Sequence, residues 1–305
     1  MSSADPEPVV PDPSVTSPRA PRAVVMGATV LLSGFALFQA PALWSEWQGL
    51  RRDWERDRLS RPMGFIDIAP NISYARPPVP WSREEGNELL LWSGWHDGSH
   101  LWFHVGRGEI DAEGLLGPMG RDVIRAIDRT ILESRHGAHW DIMAPEAWVV
   151  GLELGGEQRA YPELLMEKVE VVNDTLGAQP VLVVHTPFQP LERSADVFDP
   201  MLDGSRLTFG LSGYLQQADR RPLLYDRETE SLWTTGDHTL TCLGGRHKGA
   251  QLRSLERIVP SPWSDWSYRH PGARLVVGAD RSSAQKPAQP VEKATRSPAS
   301  PSPSA

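Results

Sequence analysis

His185 stands next to a Thr-Pro-Phe-Gln stretch at the end of a run of apolar residues, Val181-Leu182-Val183-Val184, where a strand would present it at its tip. A histidine placed there could serve as an acid, a base or a ligand; it could equally be a half-buried imidazole bonded to backbone. His96, His100 and His104 recur at intervals of four. On a helix they would line one face and invite a metal ion, but Asp97-Gly98-Ser99 is turn chemistry and Leu101-Trp102-Phe103 favours a strand. In a strand only His100 and His104 share a face. His136 and His139 lie in a Gly/Ala-containing stretch that reads as a solvated loop, with a metal pair as the alternative. Asn173-Asp174 reads first as a turn, and second as a side chain that could hold a ligand or a neighbouring backbone. Tyr225, Asp226, Arg227 and Trp233 could line a pocket wall, or the charged run could be a hairpin loop. The single cysteine, Cys242, excludes an internal disulfide and a cysteine-based zinc site. Flanked by Leu240 and Leu243, it reads as a small buried hydrophobe. No phosphate-cradling Gly-rich loop, nucleophile elbow or zinc-hydrolase helix motif is present. No cofactor is implied.

The elements that must position these residues are mainly strands. Trp148–Leu154 alternates as a strand, Gly155-Gly156 turns it, and Gln158–Tyr161 returns. Pro180 precedes the Val181–Val184 strand, whose unbroken apolar character suits burial on both faces. Arg206–Leu211, Leu223–Tyr225, Ser231–Trp233 and Arg274–Val277 add shorter strands. Val123, Ile124, Ile127, Ile131 and Leu132 mark an amphipathic helix by their spacing. Pro162 opens a short helix through Met166, and Ser261-Pro262 opens another with proline at its first position. The class is α+β, mainly antiparallel β, within a globular region of residues 81–280. Twelve tryptophans are many for one chain. Trp81, Trp92, Trp95 and Trp102 cluster early, as the core of an added N-terminal part or as an aromatic groove.

The two ends differ from the middle. Residues 1–22 and 281–305 are rich in Pro, Ser and Ala and cannot bury a core. Ala23–Trp44 carries no charge and, as a helix, is long enough to cross a hydrocarbon core of about 30 Å, with Trp44 and Trp47 at its far end. This reads as a single-pass membrane anchor; the alternative is a signal peptide cut near Ala40-Pro41-Ala42. Residues 45–80 follow as a charged amphipathic helix, with Trp47, Leu50 and Trp54 on one side, and a Pro-rich connector. Arg19 and Arg22 hold the N-terminus inside, against Arg51, Arg52, Arg56, Arg58 and Arg61 beyond the segment. The globular part is expected outside the cytoplasm, at the cell membrane. A net charge of -8 argues against nucleic acid as a partner, because phosphate binding needs a clustered basic face.

Between Val149 and Gly278 the chain resembles the domain of unknown function 3179 family. The resemblance rests on the hairpin ending in Arg159-Ala160-Tyr161-Pro162, on Val171-Val172-Asn173-Asp174, and on Leu207–Gly213. It also rests on Leu224–Trp233, Trp263-Ser264-Asp265-Trp266 and His270-Pro271. Typical members carry a Tyr-Cys-Pro-x-Cys turn after the central apolar strand; here it reads His185-Thr186-Pro187-Phe188-Gln189. A family histidine before the Val-Asn-Asp segment is replaced by Val169, and another before Trp-x-x-Trp by Pro260. Thiol–disulfide exchange needs a thiolate and soft-metal binding needs thiolate or imidazole. Thr186, Gln189, Val169 and Pro260 offer neither. The resemblance therefore implies a degenerate site on a non-catalytic binding or scaffold module. The alternative is an enzyme, redox or metal-dependent, whose site is rebuilt near His185 with Asn173, Asp226, Arg227 and Trp233 as ligand contacts.

Overall fold

The computed structural model describes Phe65, Ile66, Ile68 and residues 76–281, apart from Pro187, residues 191–193, Asp237 and Val259. The proposed anchor at 23–44 lies outside these residues, and among them no helix is long and apolar enough to cross a membrane. The fold is mainly antiparallel β with three short helices: α1 (Ala138–Ile142), α2 (Glu163–Val169) and α3 (Trp263–Arg269).

Three strands form a small N-terminal sheet: β1 (Ser82–Glu85), β2 (Glu88–His96) and β3 (Ser99–Gly106), in that order. A second sheet runs β18-β6-β7-β19-β5, where β5 is Thr130–Glu133, β6 Trp148–Leu154, β7 Glu157–Pro162, β18 Ser261–Pro262 and β19 Arg274–Ala279. Its one parallel pair is β7 with β19. The large sheet runs β4-β13-β14-β15-β16-β17-β10-β9-β8. Its members are β4 (Leu115–Leu116), β8 (Val171–Leu176), β9 (Gln179–His185), β10 (Ala195–Phe198), β13 (Phe209–Gln216), β14 (Pro222–Asp226), β15 (Leu232–Thr235), β16 (Thr239–Gly244) and β17 (Gln251–Arg257). A two-strand ribbon of β11 (Met201–Leu202) and β12 (Ser205–Arg206) lies between β10 and β13.

The large sheet rolls up. Alternation along each strand sends one set of side chains inward. Val171, Leu182, Val184, Phe198, Phe209, Leu211, Leu224, Trp233, Leu240, Cys242 and Leu252, drawn from all eight long strands, form a single buried cluster. The opposite face of β8, β9 and β10 packs against β6, β7, β19 and α2 through Val172, Val183, Val197, Val150, Tyr161 and Leu165. The outer face of β14 and β15 packs on the N-terminal sheet through Leu89, Phe103, Leu223 and Tyr225. Of the early tryptophans, Trp92 is buried and Trp81 rests on Tyr214, whereas Trp95 stays half-exposed beside His100.

Several strands fall where alternation places them, and three expectations need correction. The spacing of Val123, Ile124, Ile127, Ile131 and Leu132 produces no helix. Residues 121–129 form an irregular run instead, and Ile131 and Leu132 belong to β5. Their backbone groups bond outward: the Asp122 amide donates to Leu211 of β13, the Ile127 amide to Val171 of β8, and the Asn173 amide to Ile127. Two strands thus take the bonds a helix would have used internally. The strand expected over Arg206–Leu211 begins only at Phe209. Pro262 occupies the cap before α3 and pairs with Trp148, so the helix begins at Trp263, one residue later than expected. Helix α2 follows Pro162 as expected and runs on to Val169.

Helix α3 lies against β6 with Trp266 directly over Gly151, and a Cβ at that glycine would meet the indole at 2.3 Å. Gly151→Ala is expected to lower the unfolding free energy by about 1–3 kcal/mol through overpacking. Denaturant midpoints of the two proteins check this, and an unchanged midpoint refutes it.

Candidate functional site

Asp174 lies in β8 with its side chain buried, not in a turn. Its Oδ2 accepts from Arg159 Nη1 at 2.6 Å and from the Tyr161 hydroxyl at 2.9 Å; its Oδ1 accepts from the Thr175 amide at 2.7 Å and from Thr130 Oγ1 at 3.3 Å. Arg159 also donates to Thr175 O at 3.0 Å and to Glu157 at 2.7 Å. Burial, joined by the Asp174 charge, pushes the Tyr161 phenol well up, so it stays a neutral donor. One buried carboxylate therefore ties β5, β7 and β8 together.

Asn173 also lies in β8, on the barrel's inner side. Its Nδ2 donates to Phe209 O at 2.8 Å while its Oδ1 accepts from the Phe209 amide at 2.9 Å. That reciprocal pair is what a neighbouring strand would supply. The amide side chain thus bridges β8 and β13, strands that are not neighbours in the sheet but meet as it rolls up. Asn173 Nδ2 also reaches Asp128 Oδ1 at 2.8 Å, and Arg227 Nη1 holds Asp128 Oδ2 at 2.5 Å. Nearby, the Tyr225 hydroxyl donates to Asp122 at 2.5 Å and Arg121 pairs with Glu230 at 2.5 Å. Burial raises the Asp122 carboxyl against the opposing pull of Arg227. Asp226 is fully buried. It takes the Trp233 indole N–H at 2.8 Å and the Thr229 amide and hydroxyl at 2.6 and 2.7 Å. The four expected ligand contacts thus fall into two internal networks, Asn173 with Arg227 on Asp128, and Asp226 with Trp233.

At the end of β9, His185 is buried and its amide donates to Glu170 O at 2.7 Å. Thr186, also buried, donates its amide to Ser194 O at 2.7 Å. Gln189 turns back with its amide on Thr186 O at 3.1 Å, and its side chain donates to Asp219 O at 3.1 Å. Phe188 is exposed, with the Arg220 guanidinium over its ring. Val169 sits in the core shared by β6–β10, and Pro260 is buried immediately before β18. Glu170 escaped the sequence reading. It is buried, and it occupies the left-handed region at φ 57° as the C-cap of α2. An acidic residue where a helix end abuts a strand was its only signal.

His100, His104 and His139 have ordinary partners. His100 accepts the Trp92 indole N–H at 2.9 Å, and His104 meets Glu88 at 2.9 Å. His139 is not solvated: it lies in the first turn of α1 with its ring 2.6 Å from Glu133. Among the described residues no three His, Cys, Asp or Glu side chains converge as a metal-holding group. Burial raises the Cys242 thiol to about 12.

Fold and site together define a rolled antiparallel β domain whose motif side chains are bonded to one another. Residues 121–301 match the family described as protein of unknown function (DUF3179), and the chain belongs to that family. The match begins at Arg121, well before Val149, and so takes in the irregular run between β8 and β13. None of the curated proteins and none of the solved structures matches the chain.

Removing the carboxylate strands a buried guanidinium. Asp174→Ala is expected to cost about 3–5 kcal/mol, read by urea or guanidinium unfolding; a loss under about 1 kcal/mol contradicts the staple. Alkylation of Cys242 at pH 8 should run about a hundredfold or more slower in the native than in the unfolded protein, because so little thiolate is present. Mass spectrometry of the labelled cysteine reads this directly.

Proposed function

We propose that this family member is a membrane-tethered, non-catalytic binding or scaffold module of the cell envelope, its globular part held outside the cytoplasm by residues 23–44. One observation carries the reading. The positions where the resemblance puts thiols and imidazoles hold Thr186, Gln189, Val169 and Pro260, and Val169 and Pro260 are buried. The polar motif residues Asn173, Asp174, Asp226 and Arg227 are committed to internal bonds. A site that cycles thiols or grips a soft ion needs donors free to change partners. The uncharged stretch Ala23–Trp44 supplies the tether.

The test has two arms. The full chain is expected to sediment with membranes, resist alkaline carbonate and yield only to detergent, while a chain begun at residue 62 stays in the supernatant. Purified without chelators, the full chain is expected to carry less than a tenth of an equivalent of zinc, iron or copper and to show no disulfide-reductase turnover. Release by carbonate would overturn the tether. Stoichiometric metal or measurable turnover would overturn the non-catalytic reading in favour of a site rebuilt around His185.

A further inference from the structure

The outer face of the N-terminal sheet gathers aromatic and polar groups that the packing of the domain does not use. Alternation along β2 and β3 divides their side chains. Leu89, Leu91, Phe103 and Val105 turn inward and pack on the large sheet. His100, Trp102 and His104 turn the other way, and Trp95, paired with His100 across the hairpin, joins them. The inward set is buried, whereas Trp95 is 49% exposed and His100 and Trp102 are half-buried. The three rings form one cluster. The His100 centroid lies 4.6 Å from that of Trp95 and 6.3 Å from that of Trp102. The Arg83 guanidinium stacks on Trp102 at 4.4 Å and holds that indole in place.

One imidazole nitrogen is fixed as a donor. An indole N–H can only donate, and that of Trp92 donates to His100 Nδ1 at 2.9 Å. The proton of His100 therefore sits on Nε2, which bonds to no other described residue. The charged groups on the same face are bonded to one another, Arg83 to Glu85 at 2.9 Å and Glu88 to His104 at 2.9 Å. No cluster of like charge gathers there to draw an ionic partner. What remains is aromatic area beside a fixed neutral donor. Its match is a neutral molecule with an apolar face and a hydroxylated rim. A pyranose ring with equatorial hydroxyls has that form: its axial C–H bonds, slightly positive, can face the negative π-cloud of an indole.

We propose that this face is a glycan-binding platform: Trp95 and Trp102 receive the C–H faces of a neutral chain of glucose or N-acetylglucosamine type, and His100 Nε2–H donates to one of its hydroxyls. Both indoles lie beside the same imidazole, so a sugar seated on either comes within reach of that donor. The platform belongs to residues 82–106, ahead of the matched stretch 121–301. It is carried by the added sheet and not by the family domain. The inference rests on the proposed binding role at the envelope and names a partner class for it.

The experiment is calorimetric titration of the full chain with cellohexaose and with chitohexaose, in a detergent without a sugar headgroup. Saturable binding of either glycan is expected. Trp95→Ala should weaken it about tenfold or more, and Trp148→Ala, at an exposed indole on β6, should leave it unchanged. No binding of either glycan up to about 10 mM overturns the platform. So does equal binding by wild type and Trp95→Ala, or an equal loss in Trp148→Ala. If Trp95→Ala does not fold, the indole N–H resonances of wild type are followed during the titration. Displacement of the Trp95 signal supports the platform; a Trp95 signal that stands still overturns it. Carbonate extraction, metal content and turnover do not depend on Trp95, so the platform can fail while the proposed function stands.

Discussion

A sheet rolled on itself must satisfy the backbone groups along the seam where its ends meet. Here that seam lies between β8 and β13, and it is not closed by an ordinary strand ladder. The run from Arg121 to Asp128 threads the gap, giving amides to Leu211 on one side and Val171 on the other. The Asn173 amide completes the closure by exchanging two bonds with Phe209. An asparagine can do this because its side chain carries the same donor and acceptor as a peptide group. Aspartate in its place would lack the donor, and leucine would lack both. The inner cluster around Trp233 and Phe209 stays shielded only while this seam holds.

The family resemblance takes on a physical meaning in that light. Arg159 and Tyr161 come from one motif and Asp174 from another, and they bond to each other. Asn173 and Arg227, again from separate motifs, meet on Asp128. Asp226 and Trp233 close their own hairpin. These motifs are spaced widely along the chain because they fasten distant strands. Residues of this kind hold the scaffold together.

Alternation and turn chemistry made β6, β7, β9, β14 and β19 legible, because each buries a face and ends at Gly, Pro or a charged pair. The central strand was plain because burial on both sides leaves an unbroken apolar run. What escaped is whatever depends on a distant partner. The apolar spacing over residues 123–132 fits a helix, but two flanking strands outbid the internal ladder. Asn173-Asp174 has the composition of a turn, yet its polar atoms find acceptors and donors far along the chain. Glu170 gave only the faint signal of an acid at a helix end, since its character comes from burial and backbone geometry.

The second sheet brackets most of the large sheet in sequence. β6 and β7 precede β8 to β17, β18 and β19 follow them, and β7 lies parallel to β19. The β6–β7 hairpin must therefore wait for β19 before its inner edge is paired. A chain emerging from a ribosome or a translocon exposes that edge until Ala279 is free, and contacts so far apart in sequence form slowly. Assembly is thus committed only once β19 has been made, and a product cut short before Arg274 would be left with an open, sticky β edge.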